Sequence, residues 1–442
     1  MANFAQRRAA RESIENTEPG EIDGLSNVEP GVENLDTQLA EMASEDAQLE
    51  GLAGDQETLG ADTARTEDAI DDAQDAIDNG EEQSEESIAH TEVAQESIRR
   101  RWGIDRTKLA RESFRRGRGM TAAAQEGWKE TLKDLWKRFL ELIKSIVNKI
   151  KELKLKYINV GKTAQNRAKK YQAAIKNLGS KKTKDEIGGS WISKLSIEGA
   201  FNVDGSIGIA KEVTQGKAKG AIAAMTKQAD AAATYVVKAA DGEVSASKAS
   251  GGTSASGPGL MLASDAPTYD KIELFGTAAT KLQNLEEFAD GEYQKLQALP
   301  GNAYIQVGNK KLAGGVDFAA VGFMTTGDAT EDKQVATPEL GKLTAAAQGL
   351  DAIGKGFEKV LQDFRSFDSE VEKLQRAAEK ASGAVDKADD ANREALQSAR
   401  TAADQSVKNY QVLNRAVAYV ANTVIAGLNG YIGAGIGAYG KK

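Results

Sequence analysis

Apolar residues return at alternating steps of four and three along three stretches of this chain, and each stretch predicts a long amphipathic helix. The first runs through Leu132, Trp136, Phe139, Ile143, Ile146, Ile150, Leu153 and Tyr157. The second runs through Leu350, Ile353, Phe357, Val360, Phe364, Phe367, Val371, Leu374, Ala378, Ala381, Val385 and Ala388. The third is Val407, Tyr410, Asn414, Val417, Ala421, Val424 and Leu428. This spacing lays every member on one stripe, and a stripe must be covered by a partner helix. Three such stripes satisfy one another in an antiparallel bundle. Trp136, Phe139, Ile143, Ile146, Ile150, Phe357, Phe364 and Leu374 are its expected seam.

The rhythm is lost between residues 187 and 340. Ile192, Leu195 and Ile197, then Phe201, Val203, Ile207 and Ile209, suggest short strands or turns around glycines. Ser245 to Gly259 reads as a Ser/Gly/Ala-rich loop. Tyr269 to Leu299 has a helical pattern that stops at Pro300-Gly301, and Tyr304, Ile305 and Val307 with Val316, Phe318 and Val321 predict a hairpin. The region is read as a small α+β insertion, set as a head between the helices on either side.

Charge changes the picture at the N-terminus. Residues 1–96 hold 27 Asp or Glu and 4 Arg with no Lys, a formal −23, which leaves +14 on the remainder of a chain whose net charge is −9. With Phe4 its one aromatic, this part has too little apolar surface to offset the entropy of ordering, so a disordered arm is expected. At most Thr63 to Asp78 forms a weak acidic helix. The sign then flips: Ser97 to Arg118 carries 9 basic residues against Asp105 and Glu112. Arg99, Arg100, Arg101, Arg106, Arg111, Arg115, Arg116 and Arg118, with Trp102 and Phe114 among them, make a candidate polyanion contact without sequence preference. Residues 127–184 add 17 basic residues against 4 acidic ones.

The resulting plan is mainly α: long amphipathic helices in an antiparallel bundle, with a small α+β insertion and a disordered acidic N-terminal arm. Residues 1–96 form the acidic arm or propeptide, and 97–126 an arginine-rich linker. Basic amphipathic helices occupy 127–186 and the insertion 187–340. A helical hairpin over 341–430 completes the bundle, and 431–442 is a glycine-rich tail.

Catalytic and cofactor chemistry finds little foothold. There is no cysteine, and His90, the sole histidine, lies in the acidic arm, so Ser–His–acid and Cys–His mechanisms lack their base. Asp71-Asp72, Glu81-Glu82 and Asp389-Asp390 lack calcium-loop spacing, and Gly435, Gly437 and Gly440 have no helix after them to meet a phosphate. No catalytic residue, metal ligand or cofactor is expected. Val417 to Gly440 is uncharged for 24 residues, includes the Gly433-x-x-x-Gly437 spacing, and admits a membrane-active alternative, a pore-forming or ejection protein.

Two identical tripeptides flank the arginine segment, Ala94-Gln95-Glu96 before Ser97 and Ala124-Gln125-Glu126 before Gly127. A small residue, any residue, then Glu is similar to the sites cut by prohead proteases of large tailed phages. With the acidic leader and the Lys-rich helix around Trp136, the chain resembles the internal head, or prohead core, proteins of large myovirus-like phages. The resemblance implies a non-enzymatic virion protein that assembles in the host cytoplasm and resides in the capsid. It implies cleavage after Glu96 or Glu126 by a head protease, non-specific contact with double-stranded DNA, other capsid or internal head proteins as neighbours, and ejection with the genome. A cut after Glu96 leaves +14, and one after Glu126 leaves +8.

Overall fold

The computed structural model describes residues 35–79, 85–104, 120–243, 281–284, 293–312, 316–325, 330, 332–384 and 390–441. The first described element overturns part of the sequence reading. Leu35–Asp78 is one helix of 44 residues (α1), followed by Glu85–Trp102 (α2). An acidic composition alone predicts disorder, but Leu35, Met42, Leu49, Gln56, Thr63 and Ile70 recur every seven residues, and all six are buried. Polar Gln56 and Thr63 dilute that stripe enough to hide it from a hydrophobicity count. Residues 1–34 lie outside the described part.

Met120–Lys176 (α3) is a single helix of 57 residues, about 85 Å long, so the basic run over 162–176 extends the first stripe's helix. Two short strands that pair with distant partners, β1 (Leu178–Lys182) and β2 (Glu186–Gly188), follow, then a short helix, Trp191–Lys194 (α4). Two small strands, Ser196–Ile197 (β3) and Ala200–Phe201 (β4), pair with each other. Asn202 caps the next helix, Val203–Glu212 (α5), by accepting the Gly205 backbone N–H at 2.8 Å. Ile207 and Ile209 therefore sit on a helix and not on the expected strand. A π-helical turn with Gly216 at φ +97° leads into Lys219–Ala240 (α6).

A four-stranded antiparallel meander follows: Lys281–Asn284 (β5), Tyr293–Leu299 (β6), Ala303–Leu312 (β7) and Val316–Thr325 (β8). The expected hairpin is β7–β8, with Ile305 opposite Phe323 and Val307 opposite Val321. The helix expected over Tyr269 to Leu299 is replaced by β5 and β6 in its described portion, where cross-strand pairing overrides a weak helical pattern. The loop expected over Ser245 to Gly259 lies outside the described residues. The sheet is not a head. It docks along the bundle's last helix, Asp390–Gly437 (α9), where the Asn409 side chain donates to the Ala319 carbonyl at 2.8 Å and accepts the Val321 N–H at 3.0 Å.

After Gln334–Ala336 (β9), paired with β2, the second stripe forms Leu340–Asp363 (α7) and Arg365–Ser382 (α8), with Val385 and Ala388 beyond the described residues. Antiparallel contact between α3 and α7–α8 is read directly from the pairs. Lys144 meets Glu379 at 2.9 Å, Lys151 meets Glu372 at 2.5 Å, and the Tyr157 and Phe357 rings stand 5.3 Å apart. Gly161 and Gly354 close the series backbone to backbone, since a Cβ on either would come within 2.9 Å or less of the other's carbonyl oxygen. The eight seam residues from Trp136 to Leu374 are each at most 3% exposed.

The final glycines are no tail. Helix α9 continues to Gly437, and Tyr439–Lys441 (β10) pairs antiparallel with β1. A Cβ on Gly427 would strike Leu195, one on Gly430 Trp191, and one on Gly435 Leu343, so these glycines admit large neighbours to the core. In the frame, α3 and α9 run one way and α1 and the consecutive helices α7 and α8 the other.

Candidate polyanion interface

The charged face of the body and the acidic helix meet in the structure. Helix α1 lies antiparallel along both α3 and α9, and its inward edge brings carboxylates to the cations there. Glu45 accepts from Lys156 at 2.6 Å and is also paired with Lys149. These two ammonium groups, Lys149 foremost, hold the Glu45 carboxyl below the usual glutamate range. Asp46 takes Arg415 through both carboxylate oxygens, at 3.0 and 3.2 Å, with Glu50 3.5 Å away. Burial of Arg415 opposes its charge, but Asp46 outweighs that effect and its pKa lies above the ordinary guanidinium value. Glu67 and Arg400 form a pair at 2.9 Å whose side chains are 5% and 6% exposed. Burial pushes the Glu67 carboxyl up against the attraction of Arg400.

Neutral groups fill the spaces between these pairs. Gln56 donates to the Asp404 side chain and backbone, the Gln411 amide donates to the Leu49 carbonyl, and Asn429 donates to Asp36 at 3.1 Å. The face that α9 turns toward α1 therefore carries Arg400, Asp404, Gln411, Arg415 and Asn429, at helical spacing. It is polar along its length. The apolar anchoring of α1 comes from Leu35, Met42, Leu49, Leu59 and Ile70, all within 4% exposure and each contributing roughly 1.5–3 kcal/mol on full burial.

The arginine segment is divided by the structure. Arg99 is buried and donates to the Thr131 hydroxyl at 2.9 Å, with Gln95 donating to the same oxygen at 2.9 Å. Burial depresses the Arg99 pKa. Arg101 spans both oxygens of Asp62 at 2.9 and 2.8 Å, and the Trp102 indole donates to the same carboxylate. Arg100 is exposed and paired with Glu96 on its own helix. Two of the three described arginines thus tie α2 to its neighbours, Arg99 buried and Arg101 partly exposed beside Asp62. Arg106, Arg111, Arg115, Arg116 and Arg118 lie outside the described residues, as does half of the 97–126 linker, whose ends belong to α2 and α3. The bonds after Glu96 and Glu126 fall inside α2 and α3.

Sequence reasoning missed Glu45, Asp46, Asp62 and Glu67 on α1, and their partners Arg400 and Arg415. The seven-residue repeat that places α1 against the bundle was the available signal.

A family model of phiKZ-like phage internal head proteins matches residues 44–434. The chain belongs to that family. No curated protein and no solved structure matches it. Membership places this internal head protein inside the phage capsid. The match begins within α1 and ends within α9, so the helix pair that meets at Asp46 and Arg415 is inside the matched span.

Two other features of the internal head protein were candidates for chemistry. Among the described residues no helix is long and apolar enough to cross a membrane, and no group of His, Cys, Asp or Glu could hold a metal ion. The uncharged stretch of α9 is spent on packing, with Val420, Ala421, Val424, Ile425, Leu428 and Ile432 fully buried. Inside the bundle, Lys154 is paired with Asp368 beneath the Phe364 and Tyr410 rings, and the Tyr410 hydroxyl donates to Asp368 at 2.6 Å. Burial lowers the Lys154 pKa despite Asp368. With every member turned to another helix, this cluster joins α3, α8 and α9.

Proposed function

We propose that this internal head protein is a non-enzymatic companion of packaged double-stranded DNA whose acidic N-terminal part is a removable mask. One observation carries the reading: α1 is docked on the basic body through carboxylate–cation pairs at Glu45, Asp46 and Glu67. While α1 is in place, the cations it meets are neutralised, and Lys149, Arg400 and Arg415 are largely covered. A head protease cutting after Glu96 or Glu126 would sever the mask from a body of +14 or +8. That body would sit among the phosphates of the packaged genome as counter-charge, next to other capsid and internal head proteins, and leave with the DNA on ejection. Phosphate contact of this kind gives affinity without base information and falls steeply with salt.

Both candidate bonds lie in helices, and a protease binds its substrate extended. Cleavage therefore needs α2 or the start of α3 to open locally before the bond is reached. The deciding experiment is the intact mass of the protein recovered from phage heads, paired with duplex-DNA binding of the intact and recovered forms at low salt. A chain beginning at Ser97 or Gly127 that binds more tightly supports the reading. A chain retaining its N-terminal part, or equal binding by the two forms, overturns it.

A further inference from the structure

The side chains covered by α1 include four cations, Lys149, Lys156, Arg400 and Arg415. Once α1 is set aside, Arg400 and Arg415 lose the carboxylates of Glu67, Asp46 and Glu50, and Lys156 loses Glu45. Among the described residues Lys149 keeps Glu152, 4.0 Å away on its own helix. These four cations belong to the parallel helices α3 and α9 and face the same neighbour. Between Arg400 and Arg415 the helix rises about 22 Å, a length over which a duplex strand carries about six phosphates. Gln411 lies between them and already donates to an oxygen, the Leu49 carbonyl. Asp404 is the acidic member of the face, and Lys408 stands 3.3 Å from it on the outer side.

We propose that Lys149, Lys156, Arg400 and Arg415 form a latent phosphodiester-binding strip, and that the carboxylates of α1 occupy the phosphate positions in the intact chain. The proposal rests on the masking reading above and makes it specific: mask and nucleic acid compete for the same side chains. The α3–α7 seam is apolar where Tyr157 packs on Phe357, and ion pairs such as Lys151–Glu372 flank it farther along α3. The α1–α9 seam is ionic and hydrogen-bonded instead. Separation there returns groups to water that water solvates well, so the cost of undocking falls on the apolar anchors Leu35, Met42, Leu49, Leu59 and Ile70 and not on this seam. The bidentate geometry of Arg415 on Asp46 and of Arg400 on Glu67 is the geometry with which guanidinium groups take phosphate.

The test uses the full-length chain and a duplex of about 20 base pairs, with two variants of equal net charge. One carries Glu45→Gln, Asp46→Asn and Glu67→Gln on the docked edge of α1. The other carries Asp55→Asn, Glu57→Gln and Asp72→Asn on its exposed face. Circular dichroism confirms that both retain their helices. The docked-edge variant is expected to bind about tenfold more tightly than the exposed-face variant, with a steeper fall of affinity with salt. Bound DNA should raise amide exchange across 35–78, and adding Arg400→Gln and Arg415→Gln should abolish the gain. Equal affinities for the two variants, with no effect of the arginine substitutions on a chain that still binds DNA, would overturn the strip while leaving the masking reading intact. Displacement of α1 by polyglutamate but not by DNA would assign the strip to an acidic protein partner and overturn the proposal. Failure of every form to bind DNA, including chain cut after Glu96, would remove both.

Discussion

Glu67 and Arg400 show how single residues decide the behaviour of the mask. Two charges nearly removed from water cost several kcal/mol each to desolvate, and their mutual attraction offsets roughly that amount. The pair therefore adds little net stability but penalises any arrangement that leaves one member alone. Glu67→Ala is expected to weaken α1 docking by about 3–5 kcal/mol, because Arg400 would stay buried without a partner. Glu67→Leu combined with Arg400→Met should recover most of that loss. Urea unfolding of the two single variants and the double variant measures the coupling, and strict additivity of the single losses would contradict it. Residues of this kind were illegible in the sequence. Nothing around Glu67 marks it out from the other acidic residues of 1–96, and Arg400 stands in an alanine-rich stretch with no charge pattern. The arginines that did stand out, Arg99 and Arg101, proved to be spent on Thr131 and Asp62. Density of charge identifies a basic segment, but the acceptors facing each guanidinium come from elsewhere in the chain.

At the scale of elements, legibility followed the strength of the hydrophobic period. The α3 and α7–α8 stripes are apolar and the α9 stripe is interrupted by Asn414 alone, and the helices α3, α7, α8 and α9 all formed. The α1 stripe has the same seven-residue period but substitutes Gln56 and Thr63 for apolar residues, so composition argued against a helix that tertiary packing supports. Strands β5 and β6 were illegible for the opposite reason, since their pairing is fixed by partners and not by local alternation. The close backbone approach of Gly161 to Gly354 was also unmarked, because no pattern shows which glycines face one another. Substituting Ala at Gly161 should push α3 and α7 apart and cost about 1–3 kcal/mol, as a Cβ there meets the Gly354 carbonyl oxygen at 2.9 Å. Ala at Gly341, where nothing lies within 4 Å, should be neutral or slightly stabilising. Thermal unfolding of the two variants side by side checks this, and equal midpoints would show that the helices can part without cost.

For the whole molecule, the same docked helix responds to acid in opposite senses along its length. Glu45 has its pKa depressed by Lys149 and Lys156. Its contribution is fully present above the ordinary glutamate value of 4.5 and is lost as the pH falls through its lower native value. Glu67 has its pKa raised by burial, so its contribution runs the other way: it is present at low pH and lost as the pH rises from 4.5 through the raised value. Acidification should therefore loosen α1 from its Glu45 end while the Glu67 end holds. Amide exchange protection, corrected for the intrinsic pH dependence, should fall first in residues 35–50 and later in 60–78 between about pH 6 and about pH 3. Salt should act in the same order, because Glu45 and its lysines are more open to screening than the buried Glu67–Arg400 pair. Loss of protection at both ends together would mean that α1 leaves the body as one rigid unit. Early loss at the Glu45 end would mean that Lys149 and Lys156 become accessible to phosphate first, and that the mask peels toward Arg400.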